Sequence, residues 1–195
     1  FNLYQRLISM KFKNLLILPL LLFANTISFA QKESKNWNGK KCAVVLTYDD
    51  ALNIHLDKVI PALNSFSFQG TFYLIASSPV VSGRKEEWRT ASKKGHELGN
   101  HTLNHPCDGS LPGRGFVTKE NDLSKYTVER AVKETRTANQ ILKDIDGKSD
   151  RTFAYPCGDL KIGDTLYYDY LKSDFVAARG VEQDFLQAKA VDLAN

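Results

Sequence analysis

The sequence predicts an α/β fold built from parallel β/α units. Two observations support this: short apolar runs rich in β-branched and aromatic residues alternate with segments whose apolar residues recur every three or four positions. Such alternation favours strands joined by helices, which produces a parallel sheet. With 195 residues, 43% of them apolar, the chain is long enough for one domain with a sizeable core.

Four segments are predicted to be strands. Residues 41–50 (KCAVVLTYDD) form an apolar run that ends in two acids, which indicates a buried strand with its carboxyl end at 47–50. The other three are GTFYLIAS at 70–77, RTFAYPCG at 151–158, and FVAARG at 175–180. In parallel β/α folds the chemistry gathers at the carboxyl ends of strands, so we expect a site there.

Four segments are predicted to be helices. Residues 55–66 have apolar residues three or four positions apart, the spacing of an amphipathic helix. The others are 85–95, which a glycine ends, 121–145, the longest, and 164–173. A loop rich in glycine and proline (PCDGSLPGRG, 106–115) separates the second helix from the third.

The stretch that begins at Met10 has the three parts of a secretory signal peptide. Two lysines stand at its start, an apolar run follows at 15–23, and Ser-Phe-Ala at 28–30 is a small-x-small cleavage site. This predicts a signal peptide over residues 10–30, cleaved near Ala30, and export to the periplasm or the extracellular space. The apolar run is shorter than the roughly 20 residues that a membrane span needs, so we expect no stable membrane insertion after cleavage.

The rest of the chain is interpreted as a leader, a linker and one domain. Residues 1–9 are interpreted as upstream read-through, residues 31–40 as a polar linker, and residues 41–195 as the domain. Loss of residues 1–30 removes three basic residues and no acids, so the formal charge of +4 becomes +1. A balance this close to neutral gives no reason to expect a nucleic-acid partner.

Three of the four histidines fall within GHELGNHTLNHPC, residues 95–107. His101 and His105 are four residues apart, so a helix or a tight turn lets them face the same way. Two neutral imidazoles and a carboxylate make a zinc site with an open position for water. The alternative is a pair of surface or core histidines, and the spacing alone favours neither. His55 and His96 are expected to be structural.

Asp49 and Asp50 end the first predicted strand. On a strand they would point to opposite faces, but at its frayed end both can turn toward one pocket, where one can ligate a metal and the other act as a general base. The alternative is an ordinary turn or helix cap, which the two acids alone favour. Other chemistries lack their motifs, because the sequence contains no G-x-S-x-G, no complete P-loop and no G-x-G-x-x-G after a strand.

Three motifs follow one another at intervals of about 50 residues: TYDD at 47–50, HTLNH at 101–105 and FAYPCG at 153–158. Together they resemble the motifs of the NodB-like polysaccharide deacetylases, carbohydrate esterase family 4. The lead-in GHELGNHT is also similar to the family's usual one, and the resemblance runs from about residue 41 to residue 181. It implies a distorted (β/α) barrel, which here would be incomplete at its carboxyl end.

The resemblance implies a metal-dependent hydrolase that removes acetyl groups from an N-acetylated polysaccharide such as peptidoglycan, a chitin-like polymer or poly-N-acetylglucosamine. Asp49 matches the family's general base. Asp50, His101 and His105 match its metal ligands, usually for zinc and in some members for another divalent metal. By this resemblance the metal activates a water, Asp49 takes a proton from it, and the backbone N–H of Cys157 helps to stabilise the oxyanion.

The third motif departs from the family pattern. Its common form is R-P-P-Y-G, in which the arginine orients the base, and Ala154 stands at that position here. A subgroup that resembles the poly-N-acetylglucosamine deacetylases also lacks this arginine. Arg151 is a candidate substitute, with a structural role as the alternative, and Tyr155 is a candidate for lining the sugar pocket, with a core role as the alternative.

The family's last motif, a late strand with the histidine that acts as general acid, has no match up to residue 195. We therefore interpret the domain as truncated, and we expect the chain to bind a metal but to cleave an amide slowly. Two other functions stay open. One is an acetyl ester hydrolase acting on a plant polysaccharide such as xylan, and the other is a catalytically idle glycan-binding module.

Three cysteines in an exported protein permit one disulfide and leave one thiol. Cys107 and Cys157 each follow a proline in a loop of the expected site. If those loops flank one metal, the two residues lie within bridging distance, with their Cα atoms roughly 4.4–6.8 Å apart. Cys42, at the start of the first predicted strand, is expected to stay reduced.

Overall fold

The computed structural model describes residues 42–182, and residues 43–182 of this range belong to one compact unit. The predicted signal peptide, the predicted linker and residues 183–195 lie outside the described residues. Within them, the strands in chain order are β1 (Thr47–Tyr48), β2 (Thr71–Leu74), β3 (Glu97–Asn100), β4 (Thr152–Ala154), β5 (Lys161–Ile162), β6 (Thr165–Leu166) and β7 (Ala177–Arg179).

The α-helices between these strands are α1 (Ile60–Ser65), α2 (Pro79–Gly83), α3 (Lys85–Lys93) and α4 (Val128–Asp146). A π-helical turn, His55–Val59, leads into α1. The threonine hydroxyl of Thr127 accepts the N–H of Arg130 and starts α4, and Gly147 ends it in a left-handed conformation with φ 75°. No helix among the described residues is long and apolar enough to cross a membrane.

Five of the strands form one parallel sheet in the order β1-β2-β3-β4-β7, while β5 and β6 make a small antiparallel hairpin. The sheet curls with its helices into a half-barrel, which confirms the predicted α/β fold of parallel β/α units. Because all five strands run the same way, their carboxyl ends meet at one edge of the sheet. Asp49, His101, Tyr155 and Gly180 each follow a strand at that edge.

Two apolar clusters hold the sheet in place. One packs α1 and α3 against β2 and β3 and is centred on Phe72 and Trp88, both 0% exposed. The other is aromatic and contains Phe153, Tyr155, Tyr167, Tyr168 and Phe175. Both clusters bury large side chains, which contribute about 1.5–3 kcal/mol each, and they fix the strands whose ends carry the site.

Three predicted elements differ from the structure. The strand predicted at 41–50 is reduced to Thr47–Tyr48, because β1 lies at the edge of the described sheet and Val44 and Val45 stay 80% and 75% exposed. The helix predicted at 121–145 begins only at Val128, after two 3₁₀ turns. The helix predicted at 164–173 is replaced by β6 and 3₁₀ turns, since its buried tyrosines are adjacent rather than three or four residues apart.

Candidate active site

A sharp turn after β1 positions the two acids. Asp50 and Ala51 have φ angles of 74° and 55°, so two successive left-handed residues follow the strand. Asp49 Oδ2 and Asp50 Oδ1 then lie 3.9 and 3.6 Å from Nε2 of His101. The turn explains how adjacent acids, which a strand would point to opposite faces, reach the same imidazole.

Hydrogen bonds shape the turn that carries His101 and His105. Asn100 Oδ1 accepts the N–H of Thr102 at 2.6 Å, and Thr102 Oγ1 accepts the N–H of His105 at 2.9 Å. Asn100 is anchored in turn, since its Nδ2 donates to the carbonyl oxygen of Thr135 on α4 at 2.9 Å. A turn rather than a helix therefore brings the two imidazole centroids within 4.7 Å of each other.

Asp50, His101 and His105 bring three potential ligand atoms together. Asp50 Oδ1 lies 3.6 Å from His101 Nε2 and 3.5 Å from His105 Nε2, and the three atoms all lie within 4.8 Å of one another. A tetrahedral zinc ion with bonds of about 2.0–2.2 Å separates its ligand atoms by about 3.3–3.6 Å. The donor set therefore fits a small divalent metal.

His101 presents Nε2 to the acids as a neutral imidazole. Its Nδ1 lies 2.8 Å from the carbonyl oxygen of Ala154, and because a carbonyl can only accept, Nδ1 carries the proton. Nε2 is left with a lone pair, the form that binds a metal. Burial of the ring, against the attraction of Asp49, lowers the pKa of His101 to about 4.

Asp49 has a charged partner that the sequence analysis missed. Nη2 of Arg179, at the carboxyl end of β7, donates to Oδ1 of Asp49, and both side chains are half-buried. The guanidinium also lies over the ring of Tyr73, 4.7 Å from its centroid. One signal was available, because Arg179 stands near the end of the predicted strand 175–180, where chemistry was expected.

Cys107 and Cys157 form a disulfide with their Cα atoms 5.8 Å apart, which confirms the predicted proximity. Cys42 is exposed and unbridged, as expected. The bridge lies beside the histidine turn, since Cys107 Sγ is 3.6 Å from His105 Nδ1. His105 and the two sulfurs are a second group of potential ligand atoms, but sulfurs in a disulfide are not thiolates. Cys157 itself is in a left-handed conformation with φ 57°, and the predicted role of its backbone N–H stays a prediction.

Arg114 ties the loop after the histidine turn to the third motif. Its Nη2 donates to the carbonyl oxygen of Cys157 at 3.3 Å and to Oδ1 of Asp159 at 3.0 Å. The other carboxylate oxygen of Asp159 accepts the N–H of Asp108 at 2.8 Å. Burial raises the pKa of Asp159, while these bonds oppose the rise. The loop and the disulfide together connect the second and third motifs.

Two predicted site residues lie in the protein interior instead. Arg151, 2% exposed, donates to the carbonyl oxygens of Leu98 and Lys148 at 2.5 and 2.7 Å and pairs with Asp146 at 3.2 Å. Arg151 stands at the amino end of β4, whereas Asp49 lies at the carboxyl edge of the sheet, so the prediction that Arg151 orients Asp49 is wrong. Tyr155 is 2% exposed in the aromatic cluster, and this burial corrects the prediction that it lines a sugar pocket.

The two remaining histidines are internal and are held by hydrogen bonds. His96 is fully buried, its Nδ1 accepts the N–H of Gly70 at 3.1 Å, and its Nε2 lies 3.3 Å from Oδ1 of Asn64. His55 Nδ1 accepts the N–H of Leu52 at 3.2 Å. Burial lowers the pKa of both imidazoles, so each is neutral at pH 7. The predicted structural role agrees with these contacts.

Comparison with known proteins identifies the class to which this fold and site belong. The model of the polysaccharide deacetylase family matches residues 36–173, and the chain belongs to this NodB-like family. Among curated proteins it is similar to the peptidoglycan-N-acetylmuramic acid deacetylase PdaA of Bacillus subtilis, with 26% identity over 120 residues, 61% of this chain and 39% of PdaA. It is also similar to chitin deacetylase 1 of Cryptococcus neoformans, with 28% identity over 115 residues, 59% of this chain and 21% of that protein.

Solved structures show the same fold. The Streptococcus pyogenes deacetylase PplD in complex with acetate superposes with a TM-score of 0.54 and 18% identity, over 70% of this chain and 54% of that one. PdaA of Bacillus subtilis, described as a family 4 carbohydrate esterase, gives 0.52 and 21% identity, over 69% of this chain and 50% of PdaA. The chain spans less than half the length of the two curated relatives.

Proposed function

We propose that the chain is a metal-dependent hydrolase that removes acetyl groups from an N-acetylated polysaccharide. One observation carries the proposal: in a chain of this family, Asp50, His101 and His105 converge on one point with Asp49 beside them. Two imidazoles and one carboxylate are a donor set of catalytic zinc sites, which keep a position open for water or substrate. Peptidoglycan, a chitin-like polymer and poly-N-acetylglucosamine are the substrates we propose to test.

Different residues of the site have different roles in the proposed reaction. Asp50, His101 and His105 would hold the ion, most favourably zinc, which when bound polarises the acetyl carbonyl and lowers the pKa of the attacking water. Asp49 takes a proton from that water as its oxygen bonds to the carbonyl carbon. The C–N bond then breaks, the nitrogen takes up the proton that the water gave to Asp49 and leaves as a free amine, and acetate is released.

Cys157 completes the proposed site from the third motif. Its backbone N–H would donate to the oxyanion that forms on the acetyl oxygen, which is the contribution such donors make in acyl transfer. The disulfide to Cys107 and the bond from Arg114 support this position, because they fix the turn next to the histidines. Export of the protein, with a signal peptide over residues 10–30, is part of the same proposal, since polysaccharides of this kind lie outside the cytoplasm.

The test is acetate release from acetylated chito-oligosaccharides by the purified, zinc-loaded chain. We expect Asp49→Asn to lower kcat by about 10²–10⁴-fold, because a general base is lost, while the bound zinc is unchanged. Asp57→Asn is the matched control, since this exposed acid pairs with Arg84 away from the metal ligands, and it should leave kcat unchanged.

Two outcomes would contradict the proposal in different ways. Hydrolysis of acetylated xylan without hydrolysis of any N-acetyl glycan would indicate an acetyl ester hydrolase. Bound zinc and bound glycan without release of acetate from any substrate would indicate a glycan-binding module.

A further inference from the structure

Arg179 is the last residue of β7 and lies beside the third motif in the sheet. In the register of β4 and β7 it is the direct partner of Ala154, which stands where the common form of the third motif has an arginine. Its side chain therefore enters the carboxyl edge from the neighbouring strand, at the level of that motif. From there Nη2 reaches Oδ1 of Asp49, while Nη1 donates to the carbonyl oxygen of Gly180 at 3.0 Å.

We infer that Arg179 is a positioning residue that orients the Asp49 carboxylate for proton transfer, an inference that rests on the proposed function. The two oxygens of Asp49 are used differently. Oδ1 is bound by the guanidinium, and Oδ2 points toward the metal ligands, 3.9 Å from Nε2 of His101. A carboxylate held by one oxygen offers the other in a fixed direction, which is what a general base needs.

The guanidinium of Arg179 packs against a tyrosine ring whose position is itself fixed by neighbouring residues. It lies over the ring of Tyr73, and the hydroxyl of Tyr73 is bonded to Oγ1 of Thr152 at 2.9 Å. Gly99 on the next strand makes room for the ring, because a Cβ at that position would lie 2.5 Å from Cδ1 of Tyr73. The ring of Tyr73 therefore restricts the position of the Arg179 guanidinium, which in turn fixes the orientation of the Asp49 carboxylate.

Stability alone does not account for this pair. An ion pair between side chains that are 30% and 32% exposed contributes little to stability, because solvent screens the attraction. Nε of Arg179 is buried without a hydrogen-bond partner in the part of the chain that the structure describes. A contact that contributes so little to folding, placed against the proposed base, indicates a role in orienting that base.

The experiment compares Arg179→Ala and Arg179→Lys with Arg136→Ala. Arg136 is the matched control, because it also binds a carboxylate and a backbone carbonyl, those of Asp174 and Tyr170, at a distant surface. We expect Arg179→Ala to lower kcat about 100-fold with KM and bound zinc nearly unchanged, since a misplaced group costs about that much. Arg179→Lys should recover part of the loss, and added guanidinium ion should raise kcat in Arg179→Ala but not in Asp49→Asn.

A second measurement is independent of turnover. Crystal structures of the unmodified protein and of Arg179→Ala should show the Asp49 carboxylate rotated away from His101 in the variant. Full kcat in Arg179→Ala would overturn the inference. If the unmodified protein hydrolyses no acetylated substrate, the proposed function fails, and the crystal structures decide on Arg179 alone: an Asp49 that keeps its position overturns the inference, and one that moves supports it.

Discussion

The two ends of strand β3 carry histidines in opposite situations. His96 precedes the strand, and both of its ring nitrogens have protein partners, the N–H of Gly70 and Oδ1 of Asn64. His101 follows the strand, and only Nδ1 has a neutral protein partner, while Nε2 faces the carboxylates of Asp49 and Asp50. At the amino edge of the sheet both ring nitrogens of the histidine are used in hydrogen bonds within the protein. At the carboxyl edge the second ring nitrogen faces carboxylates, an arrangement in which a metal ion can be bound.

The same contrast separates two arginines. Arg151, at the amino edge, bonds Asp146 and two backbone carbonyls inside the protein. Arg179, at the carboxyl edge, is half-buried and bonds Asp49. One edge therefore serves the stability of the sheet and the other edge serves the proposed chemistry, a division that is general in β/α barrels.

The largest expected effect is on metal binding at the carboxyl edge. His101→Ala removes one of three proposed ligands, so zinc affinity should fall by more than the roughly 10–100-fold seen for loss of a supporting partner. His96→Gln is the matched control at the other end of the strand and should keep one zinc per chain. Equilibrium dialysis with metal analysis measures both, and circular dichroism checks the fold. Unchanged zinc in His101→Ala would refute the proposed ligand set.

Sequence reasoning proposed the acids and the histidine pair because the members of each pair lie close together in the chain. It failed for the arginine because that side chain reaches Asp49 across 130 positions, through a strand order that the sequence does not state. Nearness to Ala154 in the sequence is what suggests Arg151 as a substitute. Three residues along a strand are about 10 Å, however, which places Arg151 at the opposite edge.

Hydrophobic patterns located four strands of the parallel sheet but overestimated their length, and they missed β3. The pattern of 41–50 is that of a buried strand, yet Val44 and Val45 are exposed beside β1. Burial of a strand depends on what lies beside it, and that is a property of the tertiary structure. The turns with positive φ at Asp50 and His105 could not be predicted from the sequence either, since neither residue is a glycine that would mark a turn.

The next largest effect is expected for Arg151→Met, on stability rather than on the site. The change leaves the carboxylate of Asp146, whose side chain is 1% exposed, without its charged partner. Removal of one member of a buried ion pair costs about 3–5 kcal/mol, which urea denaturation measures as a fall in the free energy of unfolding. Arg136→Met, at a side chain 52% exposed, should cost about 1 kcal/mol or less. Equal losses in the two variants would remove the distinction between the buried and the exposed arginine.

Replacement of Cys107 and Cys157 by serine should lower the free energy of unfolding by about 2–4 kcal/mol, because the bridge closes a long loop of the unfolded chain. The two cysteines are 50 residues apart in sequence. Zinc stoichiometry should stay at one per chain, since the sulfurs are not among the proposed ligands, and Cys42→Ser should change neither quantity. Loss of zinc from the double serine variant would instead indicate that the sulfurs beside His105 bind the metal.

The smallest effect is a dependence of stability on pH at the amino edge. Burial, with Lys94 adding to it, lowers the pKa of His96, so the folded protein holds the neutral ring, while in the unfolded chain its pKa is about 6.5. The stability due to neutral His96 is complete above about pH 6.5 and is lost as the pH falls below that value, because the unfolded chain then takes up the proton more readily.

His96→Gln can accept from Gly70 and donate to Asn64 without titrating, so it isolates this contribution. His55 and His101 also have lowered pKa values and give the same sign, so the comparison is between slopes and uses metal-free protein in both cases. Between pH 7.5 and pH 5.5 the free energy of unfolding of His96→Gln should fall less steeply than that of the unmodified protein. Equal slopes would mean that His96 is protonated as readily inside the fold as outside it, and the contrast between the two ends of β3 would lose its electrostatic basis.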